Sequence, residues 1–327
     1  MKAYVSIHGI VFSIDNKNML RSTREFFRGW LDDAHQNMSE HWQVCFGENN
    51  KEPLMIGKIF SNENWFSSDD VHEVHNASAN IRYQVDLKNK KLLVRESSVS
   101  QSLLLSVNRI IRCVVFWELM ARGCVPFHAA SVSRGGRSVC VSGNKHSGKT
   151  TSMLNLLKTK KFDMQANDKV LLRSDNSEYF CFSLPISVNV RPGTANLFSM
   201  KDRADHYYRL NMSTLELCNT FGVRPTFKTF LQGFIYTTYE PGSGELEVYR
   251  IESKQERLRQ LKSNRLSNIY GDHDFWKFCS GLNQRFVNKF YEDFSKLPSY
   301  RVIQRDNTSS IFVDLVESMM GYSDGNV

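Results

Sequence analysis

No two cysteines in this chain have the C-x-x-C spacing of a redox or zinc motif, and their number, seven, is odd. They stand at Cys45, Cys113, Cys124, Cys140, Cys181, Cys218 and Cys279, several within apolar runs. That reads as buried free thiols in a reducing compartment and excludes a disulfide framework. Proline is scarce at seven and glycine numbers 18, which excludes a collagen-like or low-complexity chain. Long hydrophobic runs are missing too. The longest, Cys113 to Met120, contains Glu118 and is far too short to span a bilayer. Met1 to Asp15 alternates apolar and polar residues without an apolar h-region or a cleavage site, so no leader peptide is expected. A cytoplasmic location without a membrane span follows as the expectation. No internal repeat is visible.

What remains is an ordinary globular composition. The 327 residues are 41% hydrophobic and 23% charged, enough for a full core in two domains or in one large domain with an elaborated lobe. Lys and Arg number 42 against 34 Asp and Glu, a net charge of +8. That charge favours anionic partners: nucleotide phosphates, acidic peptides, nucleic acid or anionic lipid.

Residues 1 to 98 are β-rich and form the first expected domain. Tyr4–Ile7 and Ile10–Ile14 are strands, Arg82–Leu87 and Leu92–Arg95 form a hairpin, and Ser22–Met38 has a helical pattern. Gly47–Asp70 is polar and weakly patterned. The second domain, 99 to 320, opens with a helix over Gln101–Arg122 that Gly123 terminates. Strands follow at Phe127–Ser133 and Ser138–Ser142, separated by Gly135-Gly136. A helix over Lys149–Lys158 precedes a short strand ending before Asn167. Val170–Arg173 and Glu178–Phe182 form an antiparallel pair. Leu231–Tyr239 is a buried strand that turns at Pro241–Gly244 into Glu245–Ile251. Lys254–Arg265 is a basic helix, either a solvated surface or a docking face for an acidic peptide or nucleic acid. A strand over Tyr300–Ile303 and a helix over Ser309–Met320 end the domain, the helix turning Ile311, Leu315 and Met319 to one face. The tail 321–327 is expected to fray.

One motif carries chemistry. Gly143-Asn144-Lys145-His146-Ser147-Gly148-Lys149-Thr150 fits G-x-x-x-x-G-K-[ST], after a predicted strand and opening a predicted helix. Such glycines let backbone N–H groups wrap a phosphate, and the helix aims its positive end at the same charge. Lys149 would reach the β- and γ-phosphates, and the Thr150 hydroxyl would bind Mg²⁺. No N-K-x-D follows at GTPase spacing, no L-S-G-G-Q is present, and no Arg-rich lid is apparent. If Gly135-Gly136 is a two-residue turn, His128 falls opposite Gly143 at the mouth of the loop, either as a site residue or as a core histidine capping a strand. Phosphoryl transfer also needs a carboxylate, for Mg²⁺ or for the acceptor hydroxyl, and Asp168, just past the strand after the loop helix, is the candidate for either role. A polar loop aspartate is the other reading.

The run His128-Ala129-Ala130-Ser131-Val132, the Gly-Gly turn, Ser147 to Thr151 and Asn167-Asp168 resemble the HPr kinase/phosphorylase-like kinases, most of all their HPr kinase-related branch. The same core is similar to the nucleotide-binding half of phosphoenolpyruvate carboxykinase. The likeness runs over roughly Leu103 to Val316. It implies an α/β fold, a mixed-sheet kinase core beside the β-rich N-terminal domain. It also implies an ATP- and Mg²⁺-dependent kinase for a hydroxyl, usually a serine of a small protein. His128 and Asp168 match active-site positions of that family. Arg191, before Pro192-Gly193-Thr194, matches a segment of the related branch as a substrate clamp. HPr kinases carry adjacent aspartates where this chain has Asn167-Asp168, which leaves open whether Asp168, Asn167 or His128 handles the acceptor's proton. A second, C-terminal substrate signature has no counterpart, which argues against HPr itself as acceptor and against the reverse phosphorylase activity. The expected acceptor is a peptide, a protein or a small molecule. A nucleotide-binding regulator that transfers nothing is the competing class. Homo-oligomerisation and ATP against GTP stay open.

Overall fold

The computed structural model describes residues 3–28, 30–32, 41–47, 59–60, 63–68, 71–76, 81–95, 100–198, 200, 210–266, 284–305 and 310–322. They fall into two compact units that part between Glu118 and Leu119.

In the first unit, β1 (Ala3–Ile7) and β2 (Ile10–Ile14) form a hairpin whose turn residues, His8 and Gly9, have φ of 53° and 70°. Helix α1 spans Lys17–Phe26 and not 22–38 as the periodicity predicts. The Asn16 side chain accepts from the Met19 N–H at 3.0 Å, an N-cap that starts the helix early. By Leu31–Asp32 the chain is strand β3, paired with β1, and residues 33–38 lie outside the described set. Strands β4 (Trp42–Gly47), β5 (Ile59–Phe60), β6 (Glu63–Ser68), β7 (Val71–Asn76), β8 (Ile81–Asp86) and β9 (Lys91–Arg95) complete a sheet ordered β3-β1-β2-β4-β9-β8-β7-β6-β5. Strands β5 and β6 fall where Gly47–Asp70 shows no alternation; a backbone ladder to β7, not an apolar face in the sequence, defines β6. Helix α2 (Gln101–Ala121) ends one residue before the expected boundary and buries Leu103, Val107, Ile111 and Val114 along one stripe. Its Glu118 takes the Trp42 indole N–H at 2.9 Å, so both buried polar groups are satisfied.

The second unit contains β10 (Val125–Phe127), β11 (Ala129–Arg134), β12 (Arg137–Ser142), α3 (Lys149–Lys158), β13 (Asp163–Ala166), β14 (Val170–Asp175), β15 (Glu178–Phe182), β16 (Val188–Val190), α4 (Pro192–Leu197), β17 (Leu210–Met212), α5 (Thr214–Phe221), β18 (Lys228–Tyr239), β19 (Glu247–Arg250), α6 (Lys254–Asn264), α7 (Gln284–Phe294), β20 (Ser299–Gln304) and α8 (Ser310–Met319). The sheet runs β10-β14-β15-β18-β12-β11-β13, with β20 on β18 and β19 on β20. It is mixed: β12 and β20 both lie parallel to β18, while the other pairs of this sheet are antiparallel. The expected strand over 127–133 is in fact two, broken at His128. One residue therefore joins strands far apart in the order, and the sheet curls toward itself. Strand β19 pairs with β20 and not with its sequence neighbour β18.

The α/β core lies on both faces of this sheet. Met153, Leu154, Leu156 and Leu157 of α3 pack with Val132, Val141, Ile235 and Phe312. On the other face Phe127, Phe234, Phe290 and Phe294 form an aromatic cluster with ring centroids 4.8–6.2 Å apart. Gln165 is buried between strands and satisfied: its amide donates to Cys181 O and Thr229 Oγ1, both at 2.8 Å, and its carbonyl accepts from Ser131 Oγ at 2.8 Å. Cys124, Cys140, Cys181 and Cys218 are buried free thiols, and burial pushes Cys124 and Cys218 up to about 12.

Helix α8 turns Phe312 and Val316 inward, with Met320 buried just past its end, and leaves Ile311 exposed, one residue out of phase with the expected face. Tyr322, placed by the sequence in a frayed tail, donates to Arg134 O at 3.1 Å under the Arg134 guanidinium; residues 323–327 lie outside the described set. Helix α6 is mostly a solvated surface. Arg257, one of its docking candidates, instead donates to the carbonyls of Ser295 and Ile251, each at 2.7 Å, and Arg259 pairs with Glu256 at 2.7 Å. No helix among the described residues is long and apolar enough to cross a membrane.

Candidate functional site

The glycine-rich stretch 143–150 leaves the end of β12 and enters α3. Strand β12 ends where its antiparallel neighbour β11 begins, with Ala129 against Ser142 and Arg134 against Arg137, while β18 runs on to Tyr239. The turn at Gly135-Gly136 sets this register, so the predicted alignment holds to the last ladder pair. His128 is the next residue out. Its carbonyl accepts from Ser142 Oγ at 2.6 Å and its N–H donates to Asn264 O at 2.8 Å. The ring is thereby anchored by its own backbone at the foot of the loop.

Two glycines are required here. Gly143 has φ of 146°, and a Cβ on it would collide with the Thr237 carbonyl and the Ser147 side chain. Gly148, at φ 89°, is the N-cap of α3, and a Cβ on it would strike Gln304. With no side chain capping α3, its first N–H groups lack intrahelical partners and face the loop, an arrangement suited to an anion. Ser147 Oγ lies 3.2 Å from Thr237 Oγ1, which in turn donates to Ser142 O at 3.2 Å. These bonds tie the loop to the end of β18.

Lys149 is buried, with Nζ donating to Gly143 O at 2.8 Å and Asn144 O at 2.9 Å. Burial holds its pKa below the usual lysine range; Arg191 pushes the same way and the Asp168 carboxylate opposes them. Thr150 Oγ1 donates to Asn167 Oδ1 at 3.1 Å. Thr151 Oγ1 sits 3.0 Å from Thr194 Oγ1 of α4. Asn144, Lys145 and His146 are exposed on the outer rim of the loop. Arg191, the N-cap of α4, lays NH1 against the His146 ring, 3.1 Å from Nε2.

Asn167 and Asp168 point to different jobs. Asn167 is buried and holds Thr150. Asp168 is half-exposed and lies 3.4 Å from His128 Nε2 through Oδ1. Its φ of 68° is left-handed, a conformation that Asp tolerates better than most residues. The hydrogen bond from His128 holds its carboxyl below the ordinary carboxylate range, with Lys149 and Lys169 adding to the effect against partial burial.

Chemically, this is a helix N-terminus without a side-chain cap, with one buried ammonium, one hydroxyl, one amide oxygen and one ionised carboxylate beside an imidazole. Oxygen donors of this kind fit a hard divalent cation, with Thr150, Asn167 and Asp168 the residues to hold it. Every predicted site residue is among the described ones. Contacts link Lys149, Thr150 and Asn167 to the loop, pair His128 with Asp168, and bring Arg191 to the loop through His146. The sequence reading missed Thr237, Gln304 and Thr194. Thr237 had a signal, a polar residue near the end of the buried strand 228–239. Thr194 stood in the Pro192-Gly193-Thr194 segment, which drew attention only to Arg191, and Gln304 had no signal, because its role exists only through the parallel pairing of β20.

No family model matches the chain, and no curated protein does. Among solved structures, the chain is similar to the Hpr(Ser) kinase/phosphatase from Coxiella burnetii at 8% identity and a TM-score of 0.30, over 60% of this chain and 93% of that one. A likeness at that level carries no weight here; the local geometry does.

Proposed function

We propose that the chain is an Mg-ATP-dependent kinase that transfers the γ-phosphoryl group to a hydroxyl, with a serine of a peptide or small protein as the acceptor class. The observation that carries the reading is the loop 143–150: a left-handed glycine N-cap, an uncapped helix behind it, and Lys149 folded inward against the loop carbonyls. Phosphoryl transfer asks for positioning and charge neutralisation more than for covalent chemistry. In this reading the α3 amides and Lys149 bind the phosphates. Mg²⁺, held by Thr150 with Asn167 or Asp168 beside it, supplies further charge neutralisation. Asp168, kept ionised by His128, takes the acceptor's proton, and Arg191 steadies the anionic end of the substrates from the other side of the loop.

Asn167 favours a second reading. It bonds Thr150, the position at which a phosphate-loop enzyme commonly places a metal-binding carboxylate, and it is neutral. A nucleotide-binding regulator without transfer is consistent with that.

Incubation with ATP labelled in the γ-phosphate, with and without cell extract, separates the two. The kinase reading expects label on an acid-stable hydroxyl ester of some acceptor. Tight ATP binding with the label never leaving the nucleotide would establish the regulator.

A further inference from the structure

The glycine-rich loop has two flanks in the sheet. Strand β12 leads into it, with β11 and β13 on one side and β18 and β20 on the other. His128, just before β11, and Asp168, just past β13, belong to the first side. On the second side β12 stops at Ser142, opposite Tyr236, while β18 continues through Thr237 to Tyr239 beside the loop. Thr237 is buried; its Oγ1 lies 3.2 Å from Ser147 Oγ, and its carbonyl is what a Cβ on Gly143 would strike. Side chains alternate along a strand, so Tyr239 shares the face of Thr237, about 7 Å further out. Gln304 of β20 pairs with Tyr239, and its side chain donates to Ser152 Oγ and blocks a Cβ on Gly148. Tyr239 therefore stands beside two residues that touch the loop, and it is 42% exposed. The strand end that presents it is fixed. The Glu240 N–H donates to Gln304 O at 2.9 Å, and Arg305 donates to Glu247 Oε1 at 2.8 Å and lies 3.4 Å from Glu240 Oε2, which ties the following turn back to β20.

We propose that Tyr239 is the platform on which the nucleobase of the bound nucleotide stacks, an inference that rests on the loop holding a triphosphate whose γ-end faces Asp168. A triphosphate is an elongated chain with the transferred group at one end and the nucleoside at the other. With the γ-end turned to the flank of β11 and β13, the nucleoside leaves toward the opposite flank, where β18 and β20 end. A base arriving there gains most from a flat aromatic face that is open to solvent and carried by an ordered element, because such a ring buries apolar area at little conformational cost. A half-exposed tyrosine at the end of a paired strand meets that description.

The test is calorimetric titration of the full chain with Mg-ATP and, separately, with Mg-tripolyphosphate, which keeps the phosphates and lacks the nucleoside. The wild type should bind Mg-ATP the more tightly. Tyr239→Ala should weaken Mg-ATP about tenfold, the scale of one base–aromatic stack, and leave tripolyphosphate binding as it was. Tyr239→Phe, which keeps the ring, should restore Mg-ATP binding relative to Tyr239→Ala. If Tyr239→Ala fails to fold, Tyr239→Leu, which keeps apolar bulk without a π-face, decides in its place with the same expected loss. Mg-ATP binding that these substitutions do not change overturns the proposal. So does an equal loss for both ligands, which would mark Tyr239 as a support of the loop and not a seat for the base. Lys149→Ala separates this failure from that of the loop itself: Mg-ATP binding lost in Lys149→Ala but unmoved in Tyr239→Ala overturns the base platform alone, whereas a wild type that binds neither ligand overturns both readings.

Discussion

Asp168 and Lys149 carry opposite charges, and their surroundings move their proton affinities for different reasons. Asp168 is held below the ordinary carboxylate range first by the His128 hydrogen bond. A depressed carboxylate contributes stability above the ordinary range and loses it as the pH falls through its lowered value. The acid limb of activity set by Asp168 should therefore lie below the usual carboxylate pKa, and His128→Asn should raise it toward that value; an NMR titration of the Asp168 carboxyl checks both. Asp168→Asn keeps a side chain that accepts the left-handed backbone, so it should fold. If Asp168 is the acceptor base, turnover falls on the order of 10²-fold or more in steady-state assays. Unchanged turnover would move the base to His128. Lys149 is shifted down chiefly by burial. An anion beside it restores the charged form, so ATP binding at alkaline pH should take up protons. Binding enthalpies in two buffers of different ionisation heat read this directly, and equal enthalpies would show that the ammonium does not meet the phosphates.

At the scale of elements, the framework of the candidate site was legible where local rules suffice. Strand β12, the loop and α3 follow from a turn, a motif and a period, and the 135–136 turn alone aligned His128 with the loop. Asp168 could be ranked by position but not separated from Asn167, because it takes the Thr150 hydrogen bond to one and the His128 contact to the other to distinguish them. The misreadings have physical causes. Helix α1 was displaced because the N-cap at Asn16 outweighed a weak downstream pattern. Strand β19 follows β18 in sequence, but its pairing was not legible, because β20 arrives from further along the chain to lie between them. In α8 two apolar stripes, one residue apart, compete, and packing against α3 and the sheet chooses Phe312 and Val316. Phe312→Ala should therefore cost about 3–5 kcal/mol in denaturant unfolding of the second unit, and Ile311→Ala, at an exposed position, under about 0.5. Equal losses would put Ile311 back on the buried face.

For the whole molecule, two sheets rest on different kinds of information. The first unit's sheet is built from hairpins and two parallel joins at β4, and its polar outer strands left little trace in the sequence. The second unit's sheet places the loop at the carboxyl ends of the parallel strands β12 and β18, the end of an α/β sheet where ligands are expected. Everything said of function depends on that loop meeting a nucleotide phosphate. The most direct measurement is the thermal midpoint of the intact chain with and without Mg-ATP, in the wild type and in Lys149→Ala. Ligand bound only to the folded state at a hundredfold its Kd stabilises by about 2.7 kcal/mol, roughly 5–10 °C for a unit of this size. The account predicts that increment in the wild type and its loss in Lys149→Ala, with the variant still unfolding cooperatively. An equal increment in both proteins would contradict it.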